Sequence, residues 1–109
     1  MSNSIQKCIE ACLECMNACN VCYVANLKEY DLETLRECIR LDRECAEICS
    51  YTAQALGRGT EFAAEICNLC ARICEACATE CSKHKHDHCQ QCVEACRRCA
   101  EACRFMAVA

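Results

Sequence analysis

Residues 66–81 read ICNLCARICEACATEC, with cysteines at Cys67, Cys70, Cys74, Cys77 and Cys81. The steps between them alternate between three and four residues. Steps averaging about 3.5 keep side chains on one face of an α-helix, whereas a strand needs steps of two. The stretch therefore reads as a helix with a thiol at each inward position. The same rhythm governs Cys8, Cys12, Cys15, Cys19 and Cys22, and again Cys89, Cys92, Cys96, Cys99 and Cys103. A sparser set, Cys38, Cys45 and Cys49, keeps the same phase.

Three breaks separate the four groups. LKEYD (27–31) ends the first, with Asp31 placed as an N-cap. In GRGT (57–60), Gly57 suits a C-terminal cap and Thr60 an N-cap. SKHKHDH (82–88) separates the last two, and Asp87 with Gln90 resembles a capping box. Between the breaks stand Ala, Glu, Leu, Arg and Gln, all good helix formers. The spacing predicts helices over 4–27, 32–56, 61–83 and 88–106. Helices of roughly equal length joined by short loops give an all-α, antiparallel up-down-up-down four-helix bundle, here with a cysteine-lined core.

The whole chain, 1–109, fits one such domain. Its 18 cysteines are about one residue in six, and the usual core residues are correspondingly thin. A formal charge of −4 with scattered Lys and Arg excludes the concentrated basic surface that nucleic acid requires. No apolar run is long enough to span a membrane, and the N-terminus lacks the pattern of an export signal. The expectation is a cytoplasmic protein. Thiols stay reduced there, and a cysteine-rich pattern more often binds metal than forms disulfides.

Extending the three-four rhythm brings other residues onto the seam: Ile5, Asn26, Leu35, Asp42, Thr52, Leu56, Ala63, His84 and Met106. A second stripe, Phe62, Ile66, Leu69, Ile73 and Ala76 with Ile9, Leu13 and Met16, carries ordinary packing residues. These close the bundle laterally, with burial between subunits as the alternative. Because this stripe exists, the metal-free bundle is expected to fold.

Thiols as mere filler are a poor use of so many sites, since Leu or Ile would each stabilise the core by roughly 1.5–3 kcal/mol. Nine simultaneous disulfides fail on geometry. Cysteines three or four apart on a helix have Cβ atoms about 5–6 Å apart, and a disulfide needs about 3.5–4.5 Å. A metal ion spans that gap. Two thiolates on one ion reach across about 4–5 Å, which fits Cu(I), a soft ion that favours sulfur ligands. One Cu(I) per thiolate is also charge-neutral, so ~18 ions form the natural ceiling. Zn(II) takes four ligands in a tetrahedron, and a ladder of four-thiolate sites accumulates negative charge. An Fe–S electron carrier and a zinc or general metal buffer stand as alternatives. The bacterial ferredoxin run C-x2-C-x2-C-x3-C-P does not occur here, and the chain has no proline.

The groups CIEACLECMNACNVC and CQQCVEACRRCAEAC resemble those of the four-helix-bundle copper storage proteins, specifically the cytosolic branch without an export signal. The likeness covers nearly the whole chain, although helix two is poor in cysteine. It implies a homotetramer of bundles, each holding many Cu(I) ions on the 18 cysteines. It also implies that a carboxylate and histidines at one end supplement the thiolates, which makes Asp42, His84, His86 and His88 candidates. An antiparallel bundle places those histidines beside Cys22, Asn26, Cys38, Cys81 and Cys89, as one mouth of the tube. Ile5, Leu56 and Met106 close the other end, with Met106 a weaker soft-ligand candidate. The expected function is non-enzymatic storage of Cu(I) received from a cytosolic copper chaperone or from free thiol complexes.

Overall fold

The computed structural model describes residues 2–108. Four helices account for all regular structure among them: α1 (Asn3–Leu27), α2 (Leu32–Gly57), α3 (Ala63–Cys81) and α4 (Asp87–Val108). They form a rod of 44 × 19 × 18 Å. Each helix packs its backbone on two neighbours, α1 and α3 both lying between α2 and α4, while the diagonal pairs meet only through thiols on the axis, such as Cys49 with Cys99 at 3.8 Å. Sulfur contacts fix the direction. Cys8 meets Cys103, Cys12 meets Cys99, Cys19 meets Cys92 and Cys22 meets Cys89, so α1 and α4 run antiparallel. Cys38 with Cys81 and Cys49 with Cys70 establish the same for α2 and α3.

The helix ends explain the small differences from the expected boundaries. Ser2 caps α1, its hydroxyl accepting from the Ile5 N–H at 3.2 Å. Asp31 occupies the N-cap position of α2 but makes no side-chain cap bond; its carboxylate faces His86 instead. Gly57 is not the left-handed cap. It ends α2, and Gly59 carries the positive φ of 70°. Around Gly59 the Thr60 N–H donates to the Ala55 carbonyl and the Gly59 N–H to Leu56, which is a Schellman closure. Thr60 is not the N-cap of α3 either. Its hydroxyl accepts from the Phe62 N–H, and the helix starts later, at Ala63. Asp87 and Gln90 do not form the expected capping box. The Gln90 side-chain amide donates to the His84 carbonyl at 2.6 Å, while the His86 carbonyl accepts the first helical N–H groups of α4.

All 18 cysteines are fully buried. The other apolar residues at full depth are mostly small, among them Ala46, Ala71, Ala78 and Ala100, so neighbouring helices approach closely. The second stripe packs less completely than expected. Ile9, Met16, Ile66 and Ile73 are half-buried, whereas Leu13, Phe62, Leu69 and Ala76 are exposed. The reason is the width of the core: a column of thiols is narrow, and it leaves the flanking stripe on the outer surface.

Candidate metal centre

Every seam position projected by the three-four rhythm points inward. Asn26, Asp42 and Thr52 are fully buried, and Leu35, Leu56 and His84 are buried or nearly so. Ile5, Ala63 and Met106 pack against the core at the far end. Thr52, one turn beyond Cys49, turns its hydroxyl to the Ile48 carbonyl of its own helix, at 2.7 Å.

The cysteines are all free thiols, and their sulfurs form one continuous column. Cys8 lies 3.7 Å from Cys103, Cys103 lies 3.9 Å from Cys12, and Cys12 lies 3.7 Å from Cys99. Cys99 leads to Cys49 at 3.8 Å, Cys49 to Cys74 at 3.7 Å and Cys74 to Cys45 at 3.6 Å. From Cys45 the path runs through Cys15, Cys96 and Cys19 to Cys92, in steps of 3.6–3.8 Å. Cross-helix pairs are as close as the i,i+4 pairs within a helix, such as Cys77 and Cys81 at 3.9 Å.

These separations fall short of the 4–5 Å span expected for two sulfurs on opposite sides of one ion. They suit triangles better. Cys15, Cys45 and Cys74 lie 3.7, 3.6 and 4.0 Å apart, and Cys19, Cys92 and Cys96 lie 3.7, 3.8 and 3.9 Å apart. The centre of such a triangle is about 2.2 Å from each sulfur, close to the ~2.3 Å of a metal–thiolate bond. Groups of four donors within 4.8 Å of one another also occur, and they overlap: Cys15 and Cys99 each belong to more than one. Shared donors suit bridging thiolates rather than separate, closed tetrahedra. In van der Waals contact along the column, the thiols leave no room for the inorganic sulfides of an Fe–S cluster.

Asp42 takes a cysteine's place near the mouth, grouped with Cys22, Cys81 and Cys92. Its Oδ1 accepts from the thiols of Cys92 (3.4 Å), Cys77 (3.6 Å) and Cys81 (3.7 Å), and its Oδ2 from the Asn26 amide at 3.2 Å. Burial first, then the charges that Cys92, Cys38 and Cys77 would carry, push its pKa up to about 10. Without a cation beside it, this carboxyl holds its proton.

The thiols titrate as a set. At Cys15, S–H donors from Cys19, Cys45, Cys49 and Cys74 hold a thiolate and pull its pKa down. Contacts with Cys15, Cys19, Cys45 and Cys77, together with burial, push Cys96 up. An isolated thiolate is therefore favoured among its neighbours, and the loss of further protons is opposed until positive charge enters.

The mouth lies where the α1–α2 turn meets the α3–α4 loop. His84 is nearly buried, its Nε2 hydrogen-bonded to Glu80 at 3.0 Å. The His88 Nε2–H donates to the Asn26 Oδ1 at 2.8 Å, and that oxygen also accepts from the Cys89 thiol. Asn26 thereby joins the histidine mouth to Cys22, Cys38 and Asp42. His86 faces carboxylates, with its Nε2 3.5 Å from Asp31 and 3.7 Å from Glu29. Asn26 stood on the projected seam but was not a candidate ligand. The signal for Glu80 was its place one helical turn before His84.

This arrangement has known counterparts. The Cu(I)-bound copper storage protein BsCsp3 of Bacillus subtilis is 55% identical, with a TM-score of 0.92, over 96% of this chain and 99% of that one. A cytosolic copper storage protein from Streptomyces lividans, solved during copper loading with five coppers, is 39% identical at a TM-score of 0.94, over 97% and 93% of the two chains. The uncharacterized cysteine-rich protein YhjQ of Bacillus subtilis is 55% identical over 70 residues, which span 64% of this chain and 65% of that relative's length. The family profile described as "Csp: Copper storage protein" matches residues 1–108, so the chain belongs to the copper storage protein family.

Proposed function

We propose that the protein stores Cu(I), holding many ions on the thiolates inside its bundle. The observation that carries this reading is the unbroken column of free, fully buried sulfurs with shared neighbours. Cu(I) matches it in softness and in charge, since each ion replaces one thiol proton and the filled core stays near neutral. The ligands are the 18 cysteines, with Asp42 as a carboxylate donor near the mouth. His84 and His88 pass ions between solvent and the first sulfurs, His88 through its bond to Asn26. His86 stands apart from that path, since its Nε2 faces carboxylates.

Storage here is binding rather than catalysis. The copper storage name of the family supports that, as does the cytosolic description of the Streptomyces relative for a cytoplasmic location. No helix among the described residues is long and apolar enough to cross a membrane. A cytosolic copper chaperone or a small-thiol complex delivers the ion by ligand exchange. The bundles assemble as a homotetramer, in keeping with Leu13, Val21, Val24 and Leu27, which α1 leaves exposed. Sedimentation should give about four times the 12.2 kDa chain mass, and a monomer would remove the assembly from this reading.

Anaerobic titration with Cu(I), with metal counted against protein, tests the function. Saturation near one ion per cysteine is expected, and saturation below about five per chain would end the storage reading. A zinc buffer is tested in the same vessel. Zn(II) in excess should not displace Cu(I) from the loaded chain.

A further inference from the structure

The mouth carries a second cluster of side chains of types that ligate metals, and its chemistry differs from that of the column. Glu29 and Asp31 come from the turn after α1, and His86 from the loop before α4. The His86 Nε2 lies 3.5 Å from Asp31 Oδ1 and 3.7 Å from Glu29 Oε1. Those separations are long for a hydrogen bond. They are close to the ~3.4 Å between donors sharing a tetrahedral ion with bonds of about 2.0–2.2 Å. The other ring nitrogen, His86 Nδ1, is shut off from water and has no hydrogen-bond partner. His88 is not part of the set, because its Nε2 is engaged by Asn26. All three side chains keep some exposure, so an ion reaches them without crossing the thiols.

One nitrogen and two carboxylate oxygens are poor partners for Cu(I), which favours sulfur. They suit a borderline divalent ion, and Zn(II) accepts three protein ligands with water in the fourth position. We infer that Glu29, Asp31 and His86 form an outer site for a divalent ion of the Zn(II) type, separate from the thiol column. Such an ion ties the α1–α2 turn to the α3–α4 loop across the mouth.

The test uses the full chain, loaded with Cu(I) to one ion per thiol and cleared of loosely held copper by a Cu(I) chelator. Equilibrium dialysis against Zn(II) should then show one further Zn(II) per chain. The double variant Glu29→Gln/Asp31→Asn, which leaves every thiol and histidine in place, should bind it at least tenfold more weakly. Co(II) in place of Zn(II) should give d–d bands of nitrogen and oxygen ligation with no thiolate charge-transfer band. Absence of the extra Zn(II) would mean that the three groups form only ion pairs. Equal binding by the variant, or a thiolate band with Co(II), would place the ion on sulfur; each of these results overturns the inference. Failure of the initial Cu(I) loading would count against the storage reading instead. The difference between wild type and double variant, measured on the metal-free chain, would still decide the outer site.

Discussion

Asp42 shows how one residue ties the core to pH. Its folded-state pKa of about 10 lies far above that of a free aspartate, chiefly because it is buried. The folded chain therefore keeps a proton that the unfolded chain releases. Across the window from about pH 4 to about pH 10, this group makes the metal-free bundle less stable as pH rises, by up to ~1.4 kcal/mol per pH unit. Asp42→Asn should flatten that part of the dependence. Urea midpoints at about pH 5 and about pH 8 should differ more in the wild type than in the variant, and equal differences would refute the assignment. The inward position of Asp42 was legible in the sequence, because Cys45 follows Cys38 at a step of seven positions and Asp42 falls between them in phase. Its partnership with Asn26 was not. That bond joins α1 to α2 and depends on the relative height of two helices, which a period along one chain does not encode.

At the scale of the helix, the three-four spacing determined which face turns inward, and it did so even in α2, where Asp42 fills the phase between cysteines and Leu35, Thr52 and Leu56 extend it on either side. Ends were less legible than faces. Gly57, Thr60 and Asp87 were assigned capping roles from residue type, yet none takes the role assigned, and Asp31 holds its N-cap position through its backbone carbonyl alone. Asp31 lacks a side-chain cap bond because its carboxylate faces His86, a residue distant in sequence. At the end of α2 two glycines compete, and only the backbone identifies Gly59 as the left-handed one. Nothing lies within 4 Å of a Cβ placed at Gly59, so Gly59→Ala should cost backbone strain alone, about 1–2 kcal/mol. The matching change at Gly57, in a right-handed helical turn, should leave the urea midpoint unchanged or raise it. The reverse order would mean that the closure belongs to Gly57.

Across the whole molecule, the two ends of the rod are chemically opposite. One is lined by histidine, carboxylate and amide, and the other is packed with Leu56, Ile5, Ala63 and Met106 against the last thiols. The short breaks between helices of similar length were enough to anticipate this, since they set the helix directions and so placed SKHKHDH and the apolar residues at opposite ends. The surface was harder to read. Leu13, Phe62 and Leu69 look like core in a linear pattern, and only the narrowness of the sulfur column shows that they stay outside.

A vessel with one opening keeps a memory of the order in which it was filled. If the chain is given a light copper isotope first and a heavy one second, the early atoms sit deepest, behind the later arrivals. A brief pulse of chelator should then draw off copper enriched in the heavy isotope, with the light one following only as the tube empties. Release in the loading proportions from the first moment would mean that atoms trade places along the column, or leave by the stoppered end, faster than they exit.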